Sequence, residues 1–194
     1  LFSQYPAGRA VGAVWALAPV FAWRLSRSVT GKKAAPEGDR AFLLHHAALI
    51  WGYFRDYLTA RDHFLPPDNV QEAPAPQVAH RTSPTNIALA LLSVAAAADL
   101  ELCRRDEAAA LLEKMLGSLE RLEKWHGQPY NWYDTRTLRP LRPRYVSSVD
   151  SGNLCAALIA LREALLEWGA EALAGRAGAL ADAMELEALY DRTR

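Results

Sequence analysis

The chain has 194 residues, 51% of them hydrophobic, and its 22 basic side chains balance 22 acidic ones. That length and apolar share suffice for a folded domain with its own core, and the absence of a basic excess sets aside a nucleic-acid binder. The two cysteines, Cys103 and Cys155, fall inside apolar helical patterns without metal-site or disulfide-framework spacing, so both are expected as small core residues in a reducing compartment.

The sequence opens at Leu1-Phe2-Ser3, inside a pattern already under way, and is expected to be a piece of a longer protein. From Ala10 to Trp23 it is apolar apart from Gly12 and Pro19, and Arg24, Arg27, Lys32 and Lys33 follow. A full membrane span needs roughly 20 apolar residues, and this run is shorter. It reads either as an apolar helix lying on the domain or at a membrane surface, or as the end of a transmembrane segment over residues 1–27 whose basic cluster marks the cytoplasmic side. Residues 28–39 have linker composition, and a soluble domain is expected over 40–194.

Leu43, Ala47, Ile50, Phe54 and Tyr57 recur at helical spacing and predict one buried face, thickened by Trp51 and Tyr53. Asp62 to Arg81 lacks a helical period and holds Pro66, Pro67, Pro74 and Pro76, yet its mix of Phe64, Asp68, Asn69, Glu72, His80 and Arg81 argues for order rather than a disordered tract. Ser83 or Thr82 caps a helix that Pro84 opens, with a stripe of Ile87, Leu91, Val94 and Ala98 and with Asn86 in its first turn facing the preceding loop. A second stripe through Leu111, Met115, Leu119 and Leu122 ends near Trp125, with Gly127 as the expected stop.

The run Y-N-W-Y-D-T-R-T-L-R-P-L-R-P-R-Y-V-S-S-V-D-S-G-N, Tyr130 to Asn153, is the most informative stretch. Its prolines forbid a continuous helix. Its aromatic rings offer apolar faces, while Asp, Asn and Arg supply directed acceptors and donors. Sugars need that combination, although a loop whose aromatics merely fill the space between helices would look similar. Asp150 or Ser151 is expected to cap the next helix, with Leu154, Leu158, Leu161, Leu165 and Trp168 on its stripe, and an Ala-rich helix containing Gly175 and Gly178 follows from Glu171 to Leu189.

Two long strings resemble cyclic β-1,2-glucan synthases: Leu65 to Ile87, L-P-P-D-N-V-Q-E-A-P-A-P-Q-V-A-H-R-T-S-P-T-N-I, and the run from Asn131 to Leu154. The resemblance is strongest from Arg40 to Trp168. It implies an all-α fold, the first half of an (α/α)6 toroid of helical hairpins with long functional loops. It also implies a glucoamylase-like middle domain that closes linear β-1,2-glucan into a ring by transglycosylation. Glucosyltransferase and phosphorylase-like domains would then stand on the same chain, in a protein of the bacterial inner membrane whose soluble part is cytoplasmic.

Glycoside chemistry needs two flanking carboxyl groups, and Asp68, Glu72, Asp134 and Asp150 are the candidates by position. The resemblance places acid/base catalysis on glutamates in motifs that match none here, so the catalytic residues are expected downstream, with Asp150 the weakest-placed exception. Trp132, Tyr133, Asp134, Arg136, Asp150, Asn153, Arg81 and Asn86 are expected to contact glucan. Asp134 could instead pin its own turn, and His80-Arg81 could pair with Glu72. No phosphate loop, nucleophile elbow or metal motif occurs, and no cofactor is expected in this segment. A non-catalytic glucan-binding or structural helical module is the other reading the residues permit.

Overall fold

The computed structural model describes residues 6–26 and 37–190. The chain divides into two compact units, Leu1–Arg40 and Ala41–Arg194. In the first, α1 (Pro6–Leu25) carries Pro19 inside the helix, which removes one backbone donor. Val14, Trp15, Leu17, Val20, Phe21 and Trp23 on α1 are all exposed. Among the described residues no helix is long and apolar enough to cross a membrane. Most of the stretch read as a linker lies outside the described residues, and α2 (Glu37–Tyr57) has already begun at Glu37.

The second unit is a stack of helices joined by ordered loops, and in the loop after α2 the strand β1 (Val70–Gln71) pairs antiparallel with β2 (Gln77–Val78). Its core is formed by α3 (Pro84–Asp99), α4 (Arg105–Arg121), α5 (Ser148–Glu167) and α6 (Glu171–Asp182), with α5 packed on both α3 and α6 and α4 touching the same two helices. Ile87, Leu91 and Val94 of α3 and Leu154, Leu158, Leu161 and Leu165 of α5 are fully or almost fully buried, as their spacing predicts. Alanines at 88, 90, 95, 97 and 98 on α3 are buried too, and side chains that small let helix axes approach closely. Polar ties close the helix ends. Trp168 Nε1 donates to Asp99 at 3.0 Å, and the Arg176 guanidinium forks onto Glu120 with two bonds of 2.8 Å. The Lys124 ammonium donates to the carbonyls of Leu119, Glu120 and Leu122 at the end of α4, where the helix leaves acceptors without partners.

Three expectations change. The buried face of α2 holds Trp51 and Phe54, continued by Leu58 just past the helix, while Leu43 and Ile50 are exposed, because helical period fixes which residues share a face and not whether the fold covers them. The helix expected to run to Trp125 stops at Arg121, and Gly127 is not its stop. Instead β4 (Lys124–Trp125) pairs antiparallel with β5 (Gln128–Pro129), and His126 and Gly127 make the two-residue turn with φ of 48° and 71°. Positive φ at both central positions is the hairpin turn that glycine favours. The Ala-rich helix ends at Asp182, and a separate 3-10 turn covers Leu186–Leu189.

A methyl group at Gly127 would lie 1.8 Å from the Ala183 carbonyl oxygen, whereas one at Gly175 inside α6 would meet nothing within 4 Å. Gly127→Ala is therefore expected to destabilise by about 2 kcal/mol or more. Gly175→Ala is expected to stabilise by about 0.5–1 kcal/mol through helix propensity. Urea unfolding of the two variants checks the opposite signs.

Candidate functional site

Three loop segments meet at one buried carboxylate. Asp62 closes a 3-10 turn after α2 and is 5% exposed. Its Oδ1 accepts from the Thr135 hydroxyl at 2.5 Å and from His80 Nδ1 at 2.7 Å. Around it, Thr135 N donates to the His80 carbonyl, His63 Nδ1 donates to the Thr135 carbonyl at 2.8 Å, and the Ser118 hydroxyl of α4 donates to the His63 carbonyl. Burial by itself would raise the pKa of Asp62. The hydrogen bonds from Thr135 and His80, with the charges of His80 and Arg136, outweigh it and hold the carboxyl below its ordinary value.

This knot fixes a short ribbon in which β3 (Arg81–Thr82) pairs with β6 (Tyr133–Asp134), Arg81 opposite Asp134 and Thr82 opposite Tyr133. Tyr133 is fully buried, its hydroxyl accepting from Tyr130 N at 2.7 Å and donating to the Glu123 carbonyl, and burial pushes its pKa up. Asp134 Oδ1 accepts from Arg136 N, Thr137 N and the Thr137 hydroxyl at 2.8–3.0 Å. That is the self-pinned turn, with Asp134 half-buried. Arg136 is exposed at the tip. The pairing open to Glu72 is taken by others, since His80 holds Asp62 and Arg81 holds Asp68.

The remaining expected residues converge. Ser83 caps α3 through its hydroxyl to Asn86 N, with Pro84 at the first helical position. On that first turn the Asn86 amide reaches Asp68 Oδ1 at 3.4 Å, and the Thr85 hydroxyl donates to Asp150 Oδ1 at 2.6 Å. Asn153 Nδ2 donates to Thr85 Oγ1 at 3.0 Å. Arg81 forks onto Asp68 Oδ2 at 2.8 and 3.0 Å while its guanidinium lies 5.0 Å from the centre of the Trp132 ring, a cation–π arrangement. The Asn131 amide, oriented by its neighbours, accepts from the Tyr145 hydroxyl and from Trp132 Nε1 at 2.7 Å each and donates to Asp150 Oδ2 at 3.0 Å.

Neither Asp150 nor Ser151 caps α5. Ser147 does so, accepting from Asp150 N at 3.2 Å, and this leaves the Asp150 carboxylate free to face Thr85 and Asn131. The first turns of α3 and α5 therefore lie together, with Asp68 held by Asn86 and Arg81, Asp150 held by Thr85 and Asn131, and Trp132 between Arg81 and Asn131 in the chain of contacts. Residues missed from the sequence are Thr85, Asn131 and Tyr145, whose partners are 65 positions away, 19 positions away and 14 positions away along the chain. Among the described residues no group of three or more His, Cys, Asp or Glu side chains is placed to hold a metal ion.

Because its folded pKa is depressed, Asp62 contributes stability at pH values above the ordinary Asp range, and that contribution is lost as pH falls through its folded value below the model-peptide value of 3.8. Asp62→Asn is expected to cost roughly 1–3 kcal/mol near neutrality and to flatten the loss of stability below about pH 4. Chemical denaturation across pH checks both.

No protein-family model matches the chain. Over 157 residues it is 43% identical to the cyclic β-(1,2)-glucan synthase NdvB of Rhizobium meliloti (strain 1021), a match that covers 80% of this chain and 6% of that protein. A glucoamylase-like protein from Bacteroides fragilis superposes with a TM-score of 0.63 at 21% identity, over 77% of this chain and 37% of the other. An endo-β-1,2-glucanase from Chitinophaga pinensis, solved with sophorotriose and glucose, superposes with a TM-score of 0.59 at 16% identity, over 73% and 37%. At those identities the solved structures show the fold. The chain is thus homologous to a short segment of a cyclic β-1,2-glucan synthase and carries part of a glucoamylase-like helical fold.

Proposed function

We propose that this chain supplies part of the glucan-binding surface of an α/α-barrel domain that cyclises linear β-1,2-glucan by transglycosylation. The observation that carries this reading is the convergence of Trp132, Arg81, Asp68, Asn86, Asn131, Asp150 and Asn153 at the first turns of α3 and α5. Two carboxylates and three amides offer directed partners to sugar hydroxyls, and the indole offers an apolar face. The carboxylates here are braced by Arg81, Thr85 and Asn131. In this reading they hold and orient the glucan, and the acid/base step falls to glutamates outside this chain. Arg136, at the exposed tip, reaches glucan only from the rim.

The same reading puts the chain in a membrane-bound synthase of the bacterial inner membrane, with glucosyltransferase and phosphorylase-like domains as covalent partners and this part on the cytoplasmic side. The exposed Trp15, Phe21 and Trp23 of α1, beside Arg24, support contact of that helix with a membrane surface.

In the intact protein, Trp132→Ala and Asp150→Asn are each expected to weaken linear β-1,2-glucan binding by about tenfold, equivalent to about 1.4 kcal/mol, and to lower cyclic glucan production. Tyr133→Phe, which removes only buried loop bonds, is expected to lower the melting temperature and leave affinity nearly unchanged. Calorimetric titration and product analysis check this, and unchanged affinity in both Trp132→Ala and Asp150→Asn refutes the reading.

A further inference from the structure

A second surface adjoins the cluster just described. Trp125, Tyr130, Arg144, Tyr145, Val146, Ala188 and Leu189 line a groove of about 340 Å³, within the size range of small-ligand sites. Trp125 is 39% exposed and Tyr145 48% exposed, so two aromatic rings border open space. Arg144 lies 5.8 Å from the Tyr130 ring centre and pairs with Glu123 at 2.9 Å, so the forked donor in the groove lining is held by a carboxylate.

The wall that carries Trp125 is held in place from below. The Trp125 ring meets the edge of His126 at 4.5 Å, His126 Nδ1 meets Glu185 Oε2 at 2.8 Å, and Glu185 N donates to the His126 carbonyl at 3.1 Å. Gly127 lies directly against Ala183. The hairpin is fixed to the segment after α6, so a ligand in the groove would pay little to order it.

Tyr145 connects the two surfaces. Its ring lines the groove, and its hydroxyl donates to Asn131, which in turn holds Asp150. A ligand longer than one sugar that is held at Asp150 therefore has the groove as its next stop.

We infer that the Trp125–Tyr130–Arg144–Tyr145 groove is a further subsite for a β-1,2-linked glucan chain, taking a glucosyl unit beyond those held at Trp132 and Asp150. This inference rests on the proposed glucan reading and adds a direction to it: the polymer leaves the cluster past Tyr145 toward the β4–β5 hairpin. The aromatic faces take the apolar C–H side of the sugar, and Arg144, oriented by Glu123, takes its hydroxyl rim.

The test is calorimetric titration of the intact protein with a β-1,2-linked disaccharide and a β-1,2-linked hexasaccharide. Trp125→Ala is expected to weaken the hexasaccharide by about tenfold and the disaccharide by less than about twofold, as for an anchor residue at the far end of an extended site. Trp125→Phe should keep most of the affinity, and Arg144→Ala should weaken the hexasaccharide in the same direction, which secures the result should Trp125→Ala fold poorly. Equal loss for both lengths, or no loss for either in variants of unchanged circular dichroism, overturns the groove. If Trp132→Ala and Asp150→Asn still weaken binding by about tenfold, that failure is of the groove alone. If they too leave binding intact, the glucan reading itself has failed.

Discussion

The loops of this molecule depend on the desolvated charge of Asp62. Taking a carboxylate out of water is costly unless donors surround it. Here the donors come from His80 on one loop and Thr135 on another, while the neighbouring His63 and the Ser118 hydroxyl of α4 close the ring. Stretches far apart in sequence are thereby made mutually dependent. Arg81 follows His80, and Asp134 precedes Thr135, so the β3–β6 ribbon and everything it presents inherit their positions from that one contact.

Helix packing supplies the other half of the arrangement. The alanine-rich face of α3 and the leucine stripe of α5 lie against each other, which brings their first turns together and with them Thr85 and Asp150. The core therefore sets the spacing of the proposed glucan surface, and the buried carboxylate sets which loop residues lie over it. Neither layer alone would bring Arg81, Trp132 and Asp150 to one place.

Much of this was legible in the sequence where the signal is local. Ser83 and Pro84 mark a helix start through chemistry within three residues, and the stripes of α3 and α5 are periodic, so both were readable. Leu43 and Ile50 of α2 were misread because period alone says which residues share a face and not whether a neighbour covers it. Gly127 was misread because a glycine after a helix and a glycine in a tight hairpin look alike in one dimension. The site residues divide in the same way. Aromatic and polar density marked the loop that carries Trp132 and Asp150, but Tyr133 turned inward and Asp134 turned on itself, while Thr85 and Asn131 gain their meaning only from partners that folding brings near.

The indole N–H of Trp132 is already committed to Asn131. A tryptophan whose one polar atom is spoken for can offer a passing ligand only the face of its ring, which is indifferent to the configuration of any hydroxyl. In the proposed glucan reading, discrimination between epimeric sugars then falls to Asp68, Asn86, Asp150 and Asn153, whose oxygens and amides have direction. That same N–H helps orient the Asn131 amide and through it the Asp150 carboxylate, so exchanging the indole for a ring without a donor would loosen the directed partners as well as the flat face.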